Sequence, residues 1–308
     1  MKKLVIFTLI IIFIPFFIVE IFDKEEKEIA INYQSNVTVR VKRLAKENTI
    51  ETIFLEDYIV GVLAGEMPIY FDLEALKAQA VAARSYVLKR IEYNKDSDYD
   101  VVDSIANQVY LDKDHLKNAW GNDYVKNINK LKKAVNETSL EYLSYNEEVV
   151  DALFFSTSNG FTEDSITVFG FDTPYLKSVK SEWDRNTSTA FNSSRKMSLE
   201  EFYQKLSLPY QDNLNIEVLE RSSTNRIITL KINDREFRAR DIYNTLGLKS
   251  TDFNITQNGS NITINMKGYG HGVGMSQYGA LGMAIEGYKY DEILKYYYQN
   301  VEIKKIEI

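Results

Sequence analysis

The first candidate for chemistry is Glu66, in the run Gly65-Glu66-Met67-Pro68. Pro68 ends any helix before it, so Glu66 stands at a junction between two predicted helices, and a carboxyl group there can project into a cleft between them. Such a group can donate or accept a proton, although most glutamates are solvated surface residues. Arg84, on the following helix, can pair with a carboxylate or bind a substrate, or it can be an ordinary surface charge.

The second candidate is a glycine-rich segment near the end of the chain. Seven of the fourteen glycines lie between Gly268 and Gly287. Alternating glycines let backbone approach backbone or ligand closely, so His271, which two of them flank, is expected in a narrow slot. A structural histidine and a residue of a ligand groove fit this position about equally. The segment is neither a P-loop, which needs a following Gly-Lys-Ser/Thr, nor a nucleophile elbow, because Tyr278 replaces its final glycine.

The third candidate is a run of small polar residues that follows a predicted strand. Its members share hydroxyl or amide groups that can hydrogen-bond to sugars: Ser156, Thr157, Ser158 and Asn159. The same composition is typical of an ordinary turn. The sequence alone leaves both interpretations open.

Composition excludes several classes of function. There is no cysteine, so disulfides, thiolate metal sites and a cysteine nucleophile are excluded. Only two histidines, His115 and His271, are present, which argues against a multi-histidine metal site. The net charge of −7 argues against general nucleic-acid binding.

The N-terminus is predicted to be a membrane anchor. Lys2 and Lys3, in a cytoplasmic stub of residues 1–3, precede a mostly apolar segment over residues 4–22. As a helix, this segment would be about 28 Å long, close to the thickness of a bilayer core. A cleaved signal peptide is the alternative, but the small-x-small cleavage site is missing. The two lysines favour the cytoplasmic side, which places the following domain outside the cell.

Beyond a polar linker at residues 23–35, we predict one α+β domain over residues 36–308, in one or two lobes. The best-defined element is a helix over residues 73–93, where Asp72 is a good N-cap and apolar residues recur every three or four positions. Further helices are predicted at 56–65, 126–138, 275–286 and 291–298. Strands are predicted at 36–43, 49–55, 141–145, 149–155, 227–232, 235–240 and 262–266.

Three segments together resemble one family. Residues 65–68 with 74–86, GEMP and EALKAQAVAARSY, are similar to the signature of stage II sporulation protein D. Residues 155–162, FSTSNGFT, resemble its second motif, and residues 270–284, GHGVGMSQYGALGMA, resemble its third. The motifs occur in the family's order across nearly the whole predicted external domain.

The resemblance implies a lytic transglycosylase that acts on peptidoglycan during engulfment of the forespore, with Glu66 as its catalytic residue. It also implies a glycan groove lined by Ser156–Asn159 and by Arg84, Tyr86, His271, Ser276 and Gln277. Arg84 and Tyr86 are alternatively supports of the site rather than contacts. The implied partners are the amidase stage II sporulation protein P, which strips stem peptides, and stage II sporulation protein M in the membrane.

One departure from relatives concerns a metal. Some relatives carry a Cys/His zinc cluster that begins just before a Gln-Val-Tyr, but here Asn107 stands where the thiolate would be and His115 is a single leftover ligand. We therefore predict no metal and no cofactor. The same resemblance also covers amidase enhancers, in which the groove would bind the cell wall without cleaving it. The complete Gly-Glu-Met-Pro setting of Glu66 favours the enzyme.

Overall fold

The computed structural model describes residues 27–307, which form a mixed α+β domain with two hydrophobic cores. The helices are α1 (Leu55–Glu66), α2 (Leu73–Tyr93), α3 (Lys113–Trp120), α4 (Tyr124–Glu137), α5 (Ser165–Phe169), α6 (Asp184–Thr187), α7 (Leu199–Lys205), α8 (Ala239–Leu246), α9 (Gln277–Ile285) and α10 (Tyr290–Tyr297).

The strands are short and fall into five small sheets. They are β1 (Thr38–Arg43), β2 (Thr49–Phe54), β3 (Val101–Val102), β4 (Glu141–Tyr145), β5 (Glu148–Val149), β6 (Phe154–Phe155), β7 (Asn192–Ser198), β8 (Ile216–Arg221), β9 (Ile227–Ile232), β10 (Arg235–Arg238), β11 (Phe253–Asn258), β12 (Asn261–Lys267), β13 (Met275–Ser276) and β14 (Glu302–Lys305). The sheet orders are β2-β1-β3, β10-β9-β8, β11-β12-β7, β13-β6 and β14-β4-β5.

Helix α2 is the centre of the first core. Its predicted bounds are confirmed, and the Asp72 side chain caps it by accepting the Glu74 N–H at 2.8 Å. Its alanines are fully buried and leave a flat surface, so α1, α4, α9, α10 and β4 all pack against it. These contacts bring the end of α1 and the start of α9, which are far apart in sequence, to one side of the domain.

The second core lies within residues 197–266 and is built from two three-stranded sheets with α7 and α8. The predicted hairpin is confirmed, since Arg235 pairs with Ile232 across Asn233-Asp234. Its second strand ends at Arg238, because α8 begins at Ala239. Strands β7, β8 and β11 were not predicted from the sequence.

A second predicted hairpin is only partly confirmed. β4 pairs with β5, but the pairing ends at Val149, and the chain then continues to β6, which instead pairs in parallel with β13. The Leu153 carbonyl, between these strands, accepts the Met275 N–H and the Tyr298 hydroxyl. The result is that the polar run after Phe155 meets the glycine-rich segment.

The predicted anchor at residues 4–22 lies outside the described residues. Among residues 27–307, no helix is long and apolar enough to span a bilayer. The last part of the predicted linker lies against α4: Ile29 N–H donates to Asn129, Asn32 N–H donates to Asn136, and Ile31 is buried.

Candidate active site around Glu66

Glu66 is the last residue of α1, and its side chain is half-buried. The helix has no basic residue in its last turn. The C-terminal end of a helix carries partial negative charge, which disfavours an ionised carboxylate at that position. The location therefore favours the protonated form of Glu66.

Two glycines of α1 allow a second segment, residues 109–111, to pack directly against the helix; we call it the crossing segment. A Cβ at Gly61 would lie 2.2 Å from the Tyr110 ring, and a Cβ at Gly65 would lie 2.5 Å from the Val109 carbonyl oxygen. With glycine at both positions, the backbone of residues 109–111 lies along the helix, and Leu111 N–H donates to the Gly61 carbonyl at 3.2 Å. The same approach lets Val109 N–H donate to Glu66 Oε1 at 2.7 Å.

Buried side chains fix this crossing segment. Gln108 is fully buried, accepts the Tyr58 hydroxyl at 3.1 Å and donates to the Ala83 carbonyl at 3.3 Å. Asn107 donates to the Tyr86 hydroxyl at 3.0 Å. Tyr86 is itself only 7% exposed, so it holds the turn before Val109 and offers little surface to a ligand.

The pKa of the Glu66 carboxyl is raised above its usual value. Burial is the largest cause, and it is opposed by the Val109 N–H and by the Gln277 side chain, both of which lower the pKa. The Gln277 amide nitrogen is buried and makes no hydrogen bond of ordinary geometry. Glu66 therefore combines a raised pKa with a side chain that is not sealed from solvent, which suits a general acid.

Helix α9 brings Gln277 to this site. Ser276 is its N-cap, with the Oγ accepting the Gly279 N–H at 3.3 Å, and Gln277 is the first helical residue. Ser276 is fully buried and also donates to Asp184 and to the Ser156 carbonyl. It therefore positions Gln277 and has no exposed atom for a substrate.

Asp184 joins the polar run to the glycine-rich segment. The carboxylate is fully buried and accepts the Ser181 hydroxyl at 2.6 Å, the Ser276 hydroxyl and the Ser158 N–H at 2.8 Å. Burial raises the pKa of Asp184, while these donors act in the opposite direction. Sequence reasoning missed Asp184, because nothing in its own neighbourhood marks it.

Most side chains of the predicted sugar-binding run, residues 156–159, hydrogen-bond to other residues of the protein. Thr157 and Ser158 are fully buried and hydrogen-bond to Ser188 Oγ and to the Ser181 carbonyl, respectively, each at 2.7 Å. The Asn159 amide donates to the second core, at the Thr224 carbonyl and the Asp252 carboxylate.

Ser156, like Asn159, is half-buried. Its carbonyl accepts the Tyr278 N–H at 3.1 Å. This contact ties Ser156 to the first turn of α9 beside Gln277.

His271 occupies a slot formed by rings and by the second core. Its ring lies 5.7 Å from the Phe155 ring and 5.8 Å from the Phe169 ring, and its Nδ1 accepts the Val273 N–H at 3.1 Å. Burial, with Arg226 as the next cause, lowers its pKa to about 4, against a hydrogen bond to the Phe154 backbone that raises it. His271 is therefore neutral at neutral pH and is tied to the backbone.

Glycine at position 272 is needed for this packing. A Cβ there would lie 2.9 Å from the Arg226 guanidinium, and the backbone has a φ of +87°. Arg226 was not singled out from the sequence, since it lies in the second core far from the three motifs.

Arg84 lies in the first core rather than in a groove. It is fully buried, makes a two-point contact with the Glu56 carboxylate at 2.7 and 3.2 Å, and donates to the Glu141 carbonyl at 2.8 Å. A substrate-contacting role does not fit this burial. The alternative, a support of the site, fits it, because Glu56 is in the first turn of the helix that ends at Glu66.

The structure thus brings Glu66, Gln277 and Ser156 together around the start of α9, and it places Arg84 and Tyr86 behind them. The Val109 amide is the contact that sequence reasoning missed. The available signal was the pair Gly61 and Gly65, one helical turn apart, which indicates close approach of another backbone.

No group of three or more His, Asp or Glu side chains within residues 27–307 is arranged to hold a metal ion. Asn107 donates to the Tyr86 hydroxyl, as described above. His115 is exposed at the start of α3, where its N–H donates to Asp112 at 2.9 Å.

Comparison with known proteins supplies the context for this geometry. The family model of stage II sporulation protein (SpoIID) matches residues 44–145, which include Glu66, the crossing segment and α2. Stage II sporulation protein D of Bacillus amyloliquefaciens is 43% identical over 280 residues, covering 89% of this chain and 80% of the relative. The protein of that name from Bacillus subtilis is 41% identical with the same coverage.

This chain belongs to the stage II sporulation protein D family. A more distant relative of this family member is the amidase enhancer of Bacillus subtilis, 30% identical over 294 residues, which cover 77% of this chain but 39% of that protein. Family membership makes it a sporulation protein, and it leaves the chemistry at Glu66 to be argued from the site.

Proposed function

We propose that this chain is a lytic transglycosylase that cleaves peptide-denuded glycan strands of peptidoglycan during engulfment. The observation that carries the proposal is the half-buried Glu66 carboxyl, whose pKa is raised and which accepts one backbone N–H. A single carboxyl group is enough for this reaction, whereas ordinary glycosidases need two.

In the proposed reaction, Glu66 first donates its proton to the glycosidic oxygen as the C1–O bond breaks. The resulting carboxylate, stabilised by the Val109 N–H, then takes the proton from the 6-hydroxyl of the N-acetylmuramic acid residue as that oxygen bonds to C1. The products are a 1,6-anhydro end and a strand with a free hydroxyl group. Glu66 ends the cycle protonated, and no water is consumed.

Of the predicted groove residues, we propose the half-buried Ser156 as a substrate contact. Gln277 is only 5% exposed, and we propose that it acts on the substrate only through the pKa of Glu66. The others are proposed as positioning residues because each side chain makes a hydrogen bond within the protein, although the buried Asn159 Oδ1 accepts none from the described residues: Arg84, Tyr86, Thr157, Ser158, Asn159, His271 and Ser276.

The proposed setting is the mother-cell membrane, with one spanning segment at residues 4–22 and the domain in the septal space. Stage II sporulation proteins P and M are the proposed partners, the first supplying denuded strands. Protease treatment of intact protoplasts tests the orientation, since an external domain is digested and a cytoplasmic domain is protected.

The activity is tested with the full chain in detergent micelles, incubated with peptide-free glycan strands whose products are weighed by mass spectrometry. We expect products lighter by one water than those of hydrolysis. Glu66→Gln should lower the rate by about 10²–10⁴-fold, the range of general acid–base catalysis. Glu217→Gln, an exposed glutamate of β8, is the matched control and should retain full activity. Hydrolysis products, or equal rates for both variants, would overturn the proposal.

A second candidate function is favoured by the similarity to the amidase enhancer. Under it, the chain binds strands without cleaving them and stimulates a separate amidase. The same assay distinguishes the two functions, because an enhancer releases no anhydro product and its stimulation of the amidase survives Glu66→Gln.

A further inference from the structure

An exposed tyrosine is held rigidly just beyond Glu66. Tyr70 is 65% exposed, in the turn between α1 and α2, where Phe71 N–H donates to the Pro68 carbonyl at 3.0 Å. Lys130 donates from α4 to the carbonyls on either side of Tyr70, at Ile69 (2.9 Å) and Phe71 (2.6 Å). An exposed aromatic ring on so fixed a backbone loses little freedom when a ligand binds.

A second tyrosine completes a pair. The hydroxyls of Tyr70 and Tyr278 are 3.1 Å apart, and the Tyr278 ring meets the Phe71 ring edge-on with centroids 4.9 Å apart. The Tyr278 backbone is fixed on both sides, through its N–H to Ser156 and its carbonyl to the Thr187 hydroxyl at 2.9 Å. We call Tyr70 and Tyr278 the tyrosine pair.

The tyrosine pair borders the candidate acid from two directions. Tyr278 directly follows Gln277, whose amide acts on the Glu66 carboxyl. Tyr70 is four residues beyond Glu66, so the two Cα atoms are at most about 14 Å apart. The pair is therefore beside the bond that Glu66 would protonate.

We infer that the tyrosine pair is a sugar-stacking subsite, which takes one pyranose ring of the glycan strand next to the cleaved bond. This inference rests on the proposed function for the identity of the polymer. A pyranose presents an apolar C–H face that packs on an aromatic ring and hydroxyls that bond to the phenol groups. Two rings bury about 150–250 Å² each, too little for a protein partner, which needs about 800 Å².

The test measures binding of peptide-free glycan strands to full-length chains that carry Glu66→Gln, so that cleavage cannot interfere. Adding Tyr70→Ala should weaken binding about tenfold, as expected for loss of one stacked aromatic ring. Tyr70→Phe keeps the ring and should bind within about twofold of the parent chain. Tyr210→Ala, another tyrosine that is 54% exposed but lies against Tyr203 of the second core, is the matched control and should bind as the parent does.

Equal binding by Tyr70→Ala and its parent would overturn the subsite, as would an equal loss in Tyr210→Ala or a parent chain that binds no glycan. In chains with Glu66 intact, Tyr70→Ala should raise KM and leave kcat within about twofold, which separates positioning from acid catalysis. Binding that depends on Tyr70 in a chain that cleaves nothing would refute the transglycosylase and leave the subsite standing.

Discussion

The two ends of helix α1 carry glutamates with opposite environments. Glu56, in the first turn, is buried and saturated: Arg84 contacts both of its carboxylate oxygens, and the Leu140 N–H adds a third hydrogen bond. Glu66, at the last position, is half-buried and accepts one backbone N–H. The helix dipole adds to the contrast, since it favours a carboxylate at the start of a helix and disfavours one at its end.

The number of hydrogen-bond donors and the access of solvent, not burial alone, thus distinguish the structural Glu56 carboxylate from the Glu66 carboxyl group that we propose as the acid. Asp184 supports this reading from elsewhere in the domain. It is buried like Glu56, is saturated by three donors and holds loops together. Glu66 has the fewest hydrogen-bond donors of the three carboxyl groups and is the one that is half-buried rather than buried.

The strongest test of the contrast removes the partner of Glu56. Arg84→Met leaves that carboxylate buried and unpaired and should lower the free energy of unfolding by about 3–5 kcal/mol. Replacing both partners, in Arg84→Met with Glu56→Leu, should recover much of this loss, because no isolated charge remains. Denaturant unfolding of the three chains measures both effects. A raised KM with unchanged stability would instead return Arg84 to the substrate groove.

A smaller effect on stability is expected at Asp184. Asp184→Asn weakens charge-assisted hydrogen bonds to two serines and one backbone N–H, so we expect a loss of about 3 kcal/mol. Glu66→Gln should change the free energy of unfolding by less than about 1 kcal/mol, because Gln keeps an acceptor for Val109 and, like the protonated carboxyl group, places no charge at the helix C-terminus. Equal losses of unfolding free energy in Asp184→Asn and Glu66→Gln would contradict a structural role for Asp184 that Glu66 lacks.

The smallest effect is a shift in pH dependence. A general acid works in its protonated form, so activity should fall as pH rises through the pKa of Glu66. The Gln277 side chain lowers that pKa, and Gln277→Leu should therefore move the alkaline limb of kcat/KM to higher pH, with kcat changed less than about tenfold. Gln204→Leu, at an exposed position of α7, should leave the pH profile in place. A shift to lower pH would contradict the assigned role of Gln277.

The sequence predicts the elements whose patterns are local. Helix α2 is confirmed at both ends because its cap and its apolar spacing lie within the segment. Three strands of the second core, β9, β10 and β12, are predicted, and three, β7, β8 and β11, are missed. The missed β7 is polar: it reads NSSRKMS, and only Met197 of its residues is buried. Its burial is set by partners distant in sequence, such as Ile262 opposite Met197.

The candidate site shows the same difference between features that a local pattern predicts and contacts between residues distant in sequence. A motif makes Glu66 a candidate. The approach of Ser156 to Gln277 at the start of α9 follows from the β6–β13 pairing, which no local sequence pattern indicates. The sequence does not predict the hydrogen bond from Val109 to Glu66, because any residue except proline offers the same backbone N–H group. The sequence leaves Arg84 either as a groove contact or as a support of the site, because it does not distinguish a buried arginine from an exposed one.

The hydrogen-bond donor to Glu66 is a main-chain N–H, that of Val109, so the pKa of Glu66 does not depend on the side chain at position 109. A substitution at position 109, other than one to proline, keeps the backbone N–H and therefore keeps its effect on the pKa of Glu66. The spacing between helix and crossing segment sets the strength of the contact, and Gly61 and Gly65 set that spacing. Two residues that have no side chain thus set how strongly the main chain opposes the effect of burial on the pKa of Glu66.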